Sequence, residues 1–191
     1  MPKRTKIPTK VAILGSGKIA CDLLVKVNKS KYLECVMFSG QHENSPGIAF
    51  AKSHNTPTSA ESIKAVVGSE ARIVFDATTA ESAKEHLLSL KDRIVIDLTP
   101  AKLAPVLVPN VNKVKGMCVN LGSCTAQAVI PKLAKMKNLD YVEVVTTIAS
   151  DSAGMGTREN ISEYMITTAK TITQFTGARA KVILIINPTI Q

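Results

Sequence analysis

Short apolar runs alternate along the chain with longer stretches whose apolar residues recur at helical spacing, the pattern of βα units that build a parallel sheet. Residues 10–14 predict a first strand, and residues 19–27 a helix with Ile19, Leu23, Leu24 and Val27 on one face. A second strand is expected over 33–38. The stretch 47–67 is broken by Pro57 and predicts two short helices. A third strand follows at 72–75, a helix at 80–89 and a fourth strand at 93–96. Pro100, Pro105 and Pro109 mark a linker-like passage. Beyond it the pattern predicts a strand at 116–120, a helix from about Thr125 to Met136, a strand at 141–149, a helix at 158–175 and a last strand at 181–186. Neither an internal repeat nor a low-complexity segment interrupts this order.

The first strand runs into Gly15-Ser16-Gly17-Lys18-Ile19-Ala20. In a strand–turn–helix context, Gly15 permits the tight turn, Gly17 lets a pyrophosphate approach the backbone, and Ala20 lets helix and strand pack closely. The helix N-terminus then favours the anion. The expected fold is therefore α/β: a Rossmann-type doubly wound parallel sheet over residues 1–122, followed by a smaller α/β domain over 123–191. Two strands end alike, in Asp76-Ala77-Thr78 and Asp97-Leu98-Thr99. Such ends face the ligand crevice of a doubly wound sheet; alternatively Asp76 caps the next helix. The second strand ends in Ser39-Gly40-Gln41-His42-Glu43, with no carboxylate at its tip. Two readings stay open there: Glu43 on the ribose of NAD, or Ser39 with a nearby Lys on the 2′-phosphate of NADP.

Composition excludes several classes. With 45% apolar and 20% charged residues among 191, the chain is an ordinary globular protein. Its longest apolar run, 182–186, falls far short of the ~18 residues of a membrane span. The basic residues 1–6 precede no signal-peptide core, so a cytoplasmic location is expected. The net charge of +9 is spread over Lys26, Lys29, Lys31, Lys52, Lys64, Lys84, Lys102 and Lys135, and there is no Trp to stack on bases. Anionic cofactors account for that charge better than nucleic acid does.

Cys21, Cys35, Cys118 and Cys124 form no C-x-x-C pair, so a metal site is not expected and reduced thiols are. Cys21, Cys35 and Cys118 fall within a helix or strands and read as packing. Cys124 follows Gly122-Ser123 and precedes a helix, which makes it either a small buried hydrophobe or a nucleophile at a helix N-terminus. The histidines His42, His54 and His86 are all remote from it in sequence. Asp151 to Glu159 carries Gly154 and Gly156 ahead of a helix and reads either as a plain turn or as an anion cradle.

In register, Gly15 to Ile19, Val74 to Thr78, Ile96 to Ala101, Cys124 to Pro131 and Ser152 to Arg158 resemble the acetylating acetaldehyde dehydrogenases over about residues 10–188. That resemblance implies oxidation of acetaldehyde or a short aldehyde with NAD and coenzyme A through a Cys124 thioester, in aromatic hydrocarbon catabolism. It assigns cofactor contacts to Ser16, Gly17, Lys18 and Ile19, and to Asp151, Ser152, Ala153, Gly154, Met155, Gly156, Thr157, Arg158 and Glu159. It also implies association, as a homo- or hetero-oligomer, with a 4-hydroxy-2-oxovalerate aldolase as a partner subunit. Four positions depart from the family pattern. Cys124-Thr125-Ala126-Gln127 stands for the usual Cys-Gly-Gly-Gln, Asp151 for a Lys and Met155 for a Pro. Negative charge at Asp151 is expected to weaken binding of a dinucleotide. Family members also continue past residue 188, into a segment with an acidic residue and an Asn near the active site. The chain then reads as a truncated copy or as one of impaired activity, a dinucleotide-binding or subunit-interaction protein. The semialdehyde dehydrogenases share the cysteine and the fold but need an active-site His, for which no candidate is placed.

Overall fold

The computed structural model describes residues 7–154, 158 and 161–188. It divides into two compact units, Met1–Thr99 and Pro100–Gln191.

In the first unit β1 (Thr9–Leu14), β2 (Leu33–Ser39), β3 (Thr58–Ser59), β4 (Ile73–Asp76) and β5 (Ile94–Asp97) lie in the order β3-β2-β1-β4-β5. Every pairing among them is parallel. The chain order reverses between β1 and β4, the switch point at which doubly wound sheets bind ligands. Helices α1 (Lys18–Lys29), α2 (Pro46–Ser53), α3 (Ile63–Val67) and α4 (Ala80–Ser89) connect the strands. From Val11 onward β1 is apolar because both of its faces are covered there: Val11, Ala12, Ile13 and Leu14 are all 0% exposed. Val11 and Ile13 pack with Leu24 and Val27 of α1, Phe38 of β2 and Ile48 of α2, while α3 lies against β1 and β2. Two helices within 47–67 were expected and both are present. Between them Thr58 and Ser59 pair with Phe38 and Ser39, a strand too short and too polar to announce itself.

The second unit begins with the irregular stretch around Val106, Val108 and Asn112, then β6 (Cys118–Asn120), α5 (Cys124–Leu133), β7 (Tyr141–Ala149), α6 (Ile161–Thr176) and β8 (Arg179–Asn187). β7 and β8 pair in parallel along nine residues, Tyr141 with Arg179 through Ala149 with Asn187. Val142, Val182, Ile130 and Ile172 close a second core. α5 stops at Leu133, short of the expected Met136. The N–H groups of Lys135 and Met136 donate to Lys132 and Leu133, which tightens the chain out of the helix. No helix among the described residues is long and apolar enough to cross a membrane.

Candidate active site

The glycine turn is built by close backbone approaches. Gly15 has φ +115°, and a Cβ there would lie 2.6 Å from the carbonyl oxygen of Ala77, at the exit of β4. Its N–H donates to the carbonyl of Ser39, so β1, β2 and β4 converge on one residue. On the other side of the turn, a Cβ on Gly47 would lie 2.0 Å from the carbonyl oxygen of Ser16, so the first turn of α2 presses against it. Gly17 is different: its Cβ position has no atom within 4 Å. It caps α1 without any side-chain hydrogen bond, and the first turn of α1 carries no acidic residue. Open backbone at a helix N-terminus, with Lys18 and Ile19 exposed beside it, suits a pyrophosphate. Ser16 to Ile19, where the resemblance implies cofactor contacts, thus form the turn that opens α1.

The neighbouring strand ends are turned inward instead. Asp76 is buried and its Oδ1 accepts from the hydroxyl of Thr78 at 2.5 Å and from its N–H at 3.1 Å. Its Oδ2 lies 2.8 Å from Nδ1 of the buried His86. The cap of α4 is Thr79, which accepts from the N–H of Ser82, so Asp76 holds the β4 exit and His86 rather than capping the helix. Asp97 accepts likewise from the N–H of Thr99 at 2.8 Å. At the end of β2 the buried Ser39 donates to the carbonyl of Ser62 at 2.8 Å, and Glu43 pairs with Lys52 on the surface.

In the second unit, β6 delivers the chain to Cys124 through a turn held by side-chain hydrogen bonds. Asn120 accepts from the N–H of Gly122 at 2.6 Å. Gln127 donates to the carbonyl of Leu107 at 2.8 Å and also to that of Leu121. Ser123 caps α5, accepting from the N–H of Ala126 at 3.0 Å and from the hydroxyl of Thr168 on α6 at 2.7 Å. Cys124 is therefore the first residue of α5, one position ahead of the expected start, and its side chain is exposed. Burial raises the Cys21 thiol and pushes that of Cys35 up to about 11, as befits packing residues. The sulfur of Cys124 lies 3.2 Å from the hydroxyl of Tyr164 on α6, which lies 2.7 Å from Oγ1 of Thr125.

The turn after β7 is held by Arg158. Its guanidinium donates to the carbonyls of Ala153 and Ser150 at 3.1 and 2.7 Å and to the Ser150 hydroxyl at 2.7 Å. Asp151 and Ser152 are exposed on that turn, Ala153 is buried beneath it, and Gly154 faces open space. Met155, Gly156, Thr157 and Glu159 lie outside the described residues. Reading along the chain misses Asn120, Ser123, Thr146 and Tyr164. The last of these does have a signal, since Tyr164 heads an inward polar stripe with Thr167, Thr168 and Thr171 at helical spacing.

Residues 124–191 match the family of prokaryotic acetaldehyde dehydrogenase dimerisation regions. An acetaldehyde dehydrogenase of Carboxydothermus hydrogenoformans is 43% identical over 189 residues, covering 94% of this chain and 63% of that protein. Another, from Thermomicrobium roseum, is 45% identical over 190 residues, covering 94% of this chain and 62% of the relative. The chain belongs to the acetaldehyde dehydrogenase family. It spans about three-fifths of the length of these curated relatives, from 63% and 62% coverage.

Solved structures show the same fold at greater distance. Aspartate semialdehyde dehydrogenase of Candida albicans, solved with NADP, superimposes with a TM-score of 0.64 at 13% identity over 96% of this chain and 68% of that one. GenD2 of gentamicin A biosynthesis, solved with NAD, does so at 0.57 and 11% over 90% and 56%. The doubly wound α/β architecture of this acetaldehyde dehydrogenase relative is thus the one its sequence predicts.

Proposed function

We propose that the chain carries an NAD-dependent, coenzyme-A-acylating oxidation of acetaldehyde or a short homologue, through a thioester on Cys124. The observation that carries this is the exposed thiol of Cys124 at the first position of α5, in a chain 43% identical to an acetaldehyde dehydrogenase. A helix N-terminus favours negative charge on that sulfur. Addition of the sulfur to the aldehyde carbon forms a C–S bond and places the carbonyl electron pair on oxygen; when the carbonyl re-forms with loss of hydride, the acyl group remains on Cys124 as a thioester. Bound NAD supplies the hydride acceptor. The thiol of coenzyme A then displaces Cys124 and carries the acyl group away, restoring the sulfur for another turnover.

In this scheme residues 1–122 hold the dinucleotide, with Ser16 to Ile19 at its pyrophosphate, and 123–191 hold the nucleophile and the subunit contacts. The open amides and exposed cation of the glycine turn support the first assignment. The family match that opens at Cys124, to a dimerisation region, supports the subunit contacts of the second as self-association. With the Ser39 hydroxyl committed to Ser62 and Glu43 paired with Lys52, neither residue selects between NAD and NADP, and NAD is taken from the family resemblance. The test is NADH formation that requires both aldehyde and coenzyme A, together with an acyl adduct on the Cys124 peptide by mass spectrometry. Cys124→Ala is expected to abolish both. NADH binding without turnover or adduct would assign the chain to a dinucleotide-binding or subunit-interaction role instead.

A further inference from the structure

The Cys124 thiol sits at one end of a row of hydroxyls. Its sulfur is 3.2 Å from the Tyr164 hydroxyl, Tyr164 is 2.7 Å from Thr125 Oγ1, and Thr125 is 3.3 Å from Thr146 Oγ1 on β7. Each hydroxyl has one hydrogen to give and lone pairs to accept with, so the row can point in either direction. With a neutral thiol, the S–H donates to Tyr164, Tyr164 to Thr125 and Thr125 to Thr146. A thiolate has nothing to donate and accepts strongly.

Resting on the reading of Cys124 as nucleophile, we propose that Tyr164 is a catalytic hydrogen-bond donor to the Cys124 thiolate, turned into that role by Thr125. When the exposed thiol loses its proton to water, the Tyr164 hydrogen rotates onto the sulfur, and the Thr125 hydrogen turns from Thr146 to the Tyr164 oxygen. No hydroxyl loses its own proton; only the direction of donation changes. The arrangement is rigid enough for this. Thr125 is buried, Tyr164 is partly buried, and α6 is tied to the start of α5 by the bond from Thr168 to Ser123. Burial, and next the hydrogen bond to Cys124, push the Tyr164 hydroxyl above its ordinary value, which keeps its proton available for donation.

Other charges on these elements act elsewhere. Cys124 is the one ionisable group that acts on Tyr164 among the described residues. On α6, Glu163 and Lys170 act on Lys102. On β7, Glu143 pairs with Lys181, and on α5, Lys132 stands in the last turn.

The experiment is the pH profile of iodoacetamide alkylation, followed at the Cys124 peptide by mass spectrometry so that Cys21, Cys35 and Cys118 do not contribute. A charge-assisted bond of this kind changes ionisation by about tenfold. Tyr164→Phe, which keeps the ring, is expected to slow Cys124 alkylation about tenfold at neutral pH and to reach the wild-type rate in alkali. Thr125→Val is expected to shift the profile in the same direction by less. A Tyr164→Phe profile that superimposes on wild type, or one that is faster at every pH, overturns the proposal; the second result would make Tyr164 a steric cover. If Tyr164→Phe does not fold, as read by circular dichroism, the Thr125→Val profile decides alone. Alkylation needs neither aldehyde nor coenzyme A, so absence of dehydrogenase activity with a shifted profile would defeat the proposed function and leave the hydrogen bond standing.

Discussion

The two parallel sheets of this chain treat their faces in opposite ways. β1 is enclosed on both sides, and its four consecutive apolar residues, Val11 to Leu14, are wholly buried. β7 and β8 bury one face only. Val142 and Val182 point into the core, while Tyr141, Val145 and Ile185 are 50%, 56% and 41% exposed. The register sets these outward residues in cross-strand pairs, Tyr141 beside Arg179, Glu143 beside Lys181, Val145 beside Ile183 and Thr147 beside Ile185. Parallel strands are normally covered on both faces. A parallel pair whose uncovered face sets Tyr141, Val145 and Ile185 among Arg179, Glu143 and Lys181 is therefore a surface suited to further packing, in keeping with the dimerisation proposed for residues 124–191.

The largest expected effect lies in the enclosed sheet. Ile13→Ala removes a fully buried side chain from between α1 and β2 and should cost ~2–5 kcal/mol, read by urea denaturation. A loss below about 1 kcal/mol would mean that the sheet relaxes around the void, and the contrast with β7 and β8 would weaken.

The glycine turn at the end of the same strand sharpens the comparison. Gly15→Ala must hold a side chain at φ +115° and meet the Ala77 carbonyl, so a loss of ~1–3 kcal/mol and of NADH binding is expected. Gly17→Ala meets nothing and should leave thermal stability close to wild type while weakening NADH binding by fluorescence titration. Equal stability losses in the two variants would contradict the distinction drawn between a packed glycine and an open one.

The smallest effect on folding belongs to the uncovered face. Val145→Lys should change unfolding free energy by no more than ~0.5 kcal/mol, yet shift any self-associated species toward monomer in sedimentation velocity. Unchanged association would remove this face from the interface.

Much of the fold could be read along the chain because the elements are local and strongly patterned. Ala80–Ser89 and Tyr141–Ala149 fall where the residues placed them, since helical spacing and a β-branched run are both short-range signals. β3 could not be read, because Thr58 and Ser59 become a strand only by pairing with Phe38 and Ser39. The site divides in the same way. Ser16 to Ile19 and Cys124 were legible from strand–turn–helix context and from resemblance. Asp76 looked like a crevice residue or a helix cap, and its commitment to Thr78 and His86 emerged only when β4 and α4 were packed together.

What the sequence by itself determined about this protein is its class, its family, the glycine turn and the candidate sulfur, each carried by short motifs whose residues lie within a few positions of one another. Tertiary structure alone decided what surrounds that sulfur. Tyr164 is forty residues from Cys124 and Thr146 twenty-one from Thr125, separations over which neither propensity nor periodicity carries information. Their meeting depends on α6 packing against α5 and β8, with β8 paired to β7. A hydrogen bond needs its two atoms within about 3 Å, and only the folded chain sets that distance.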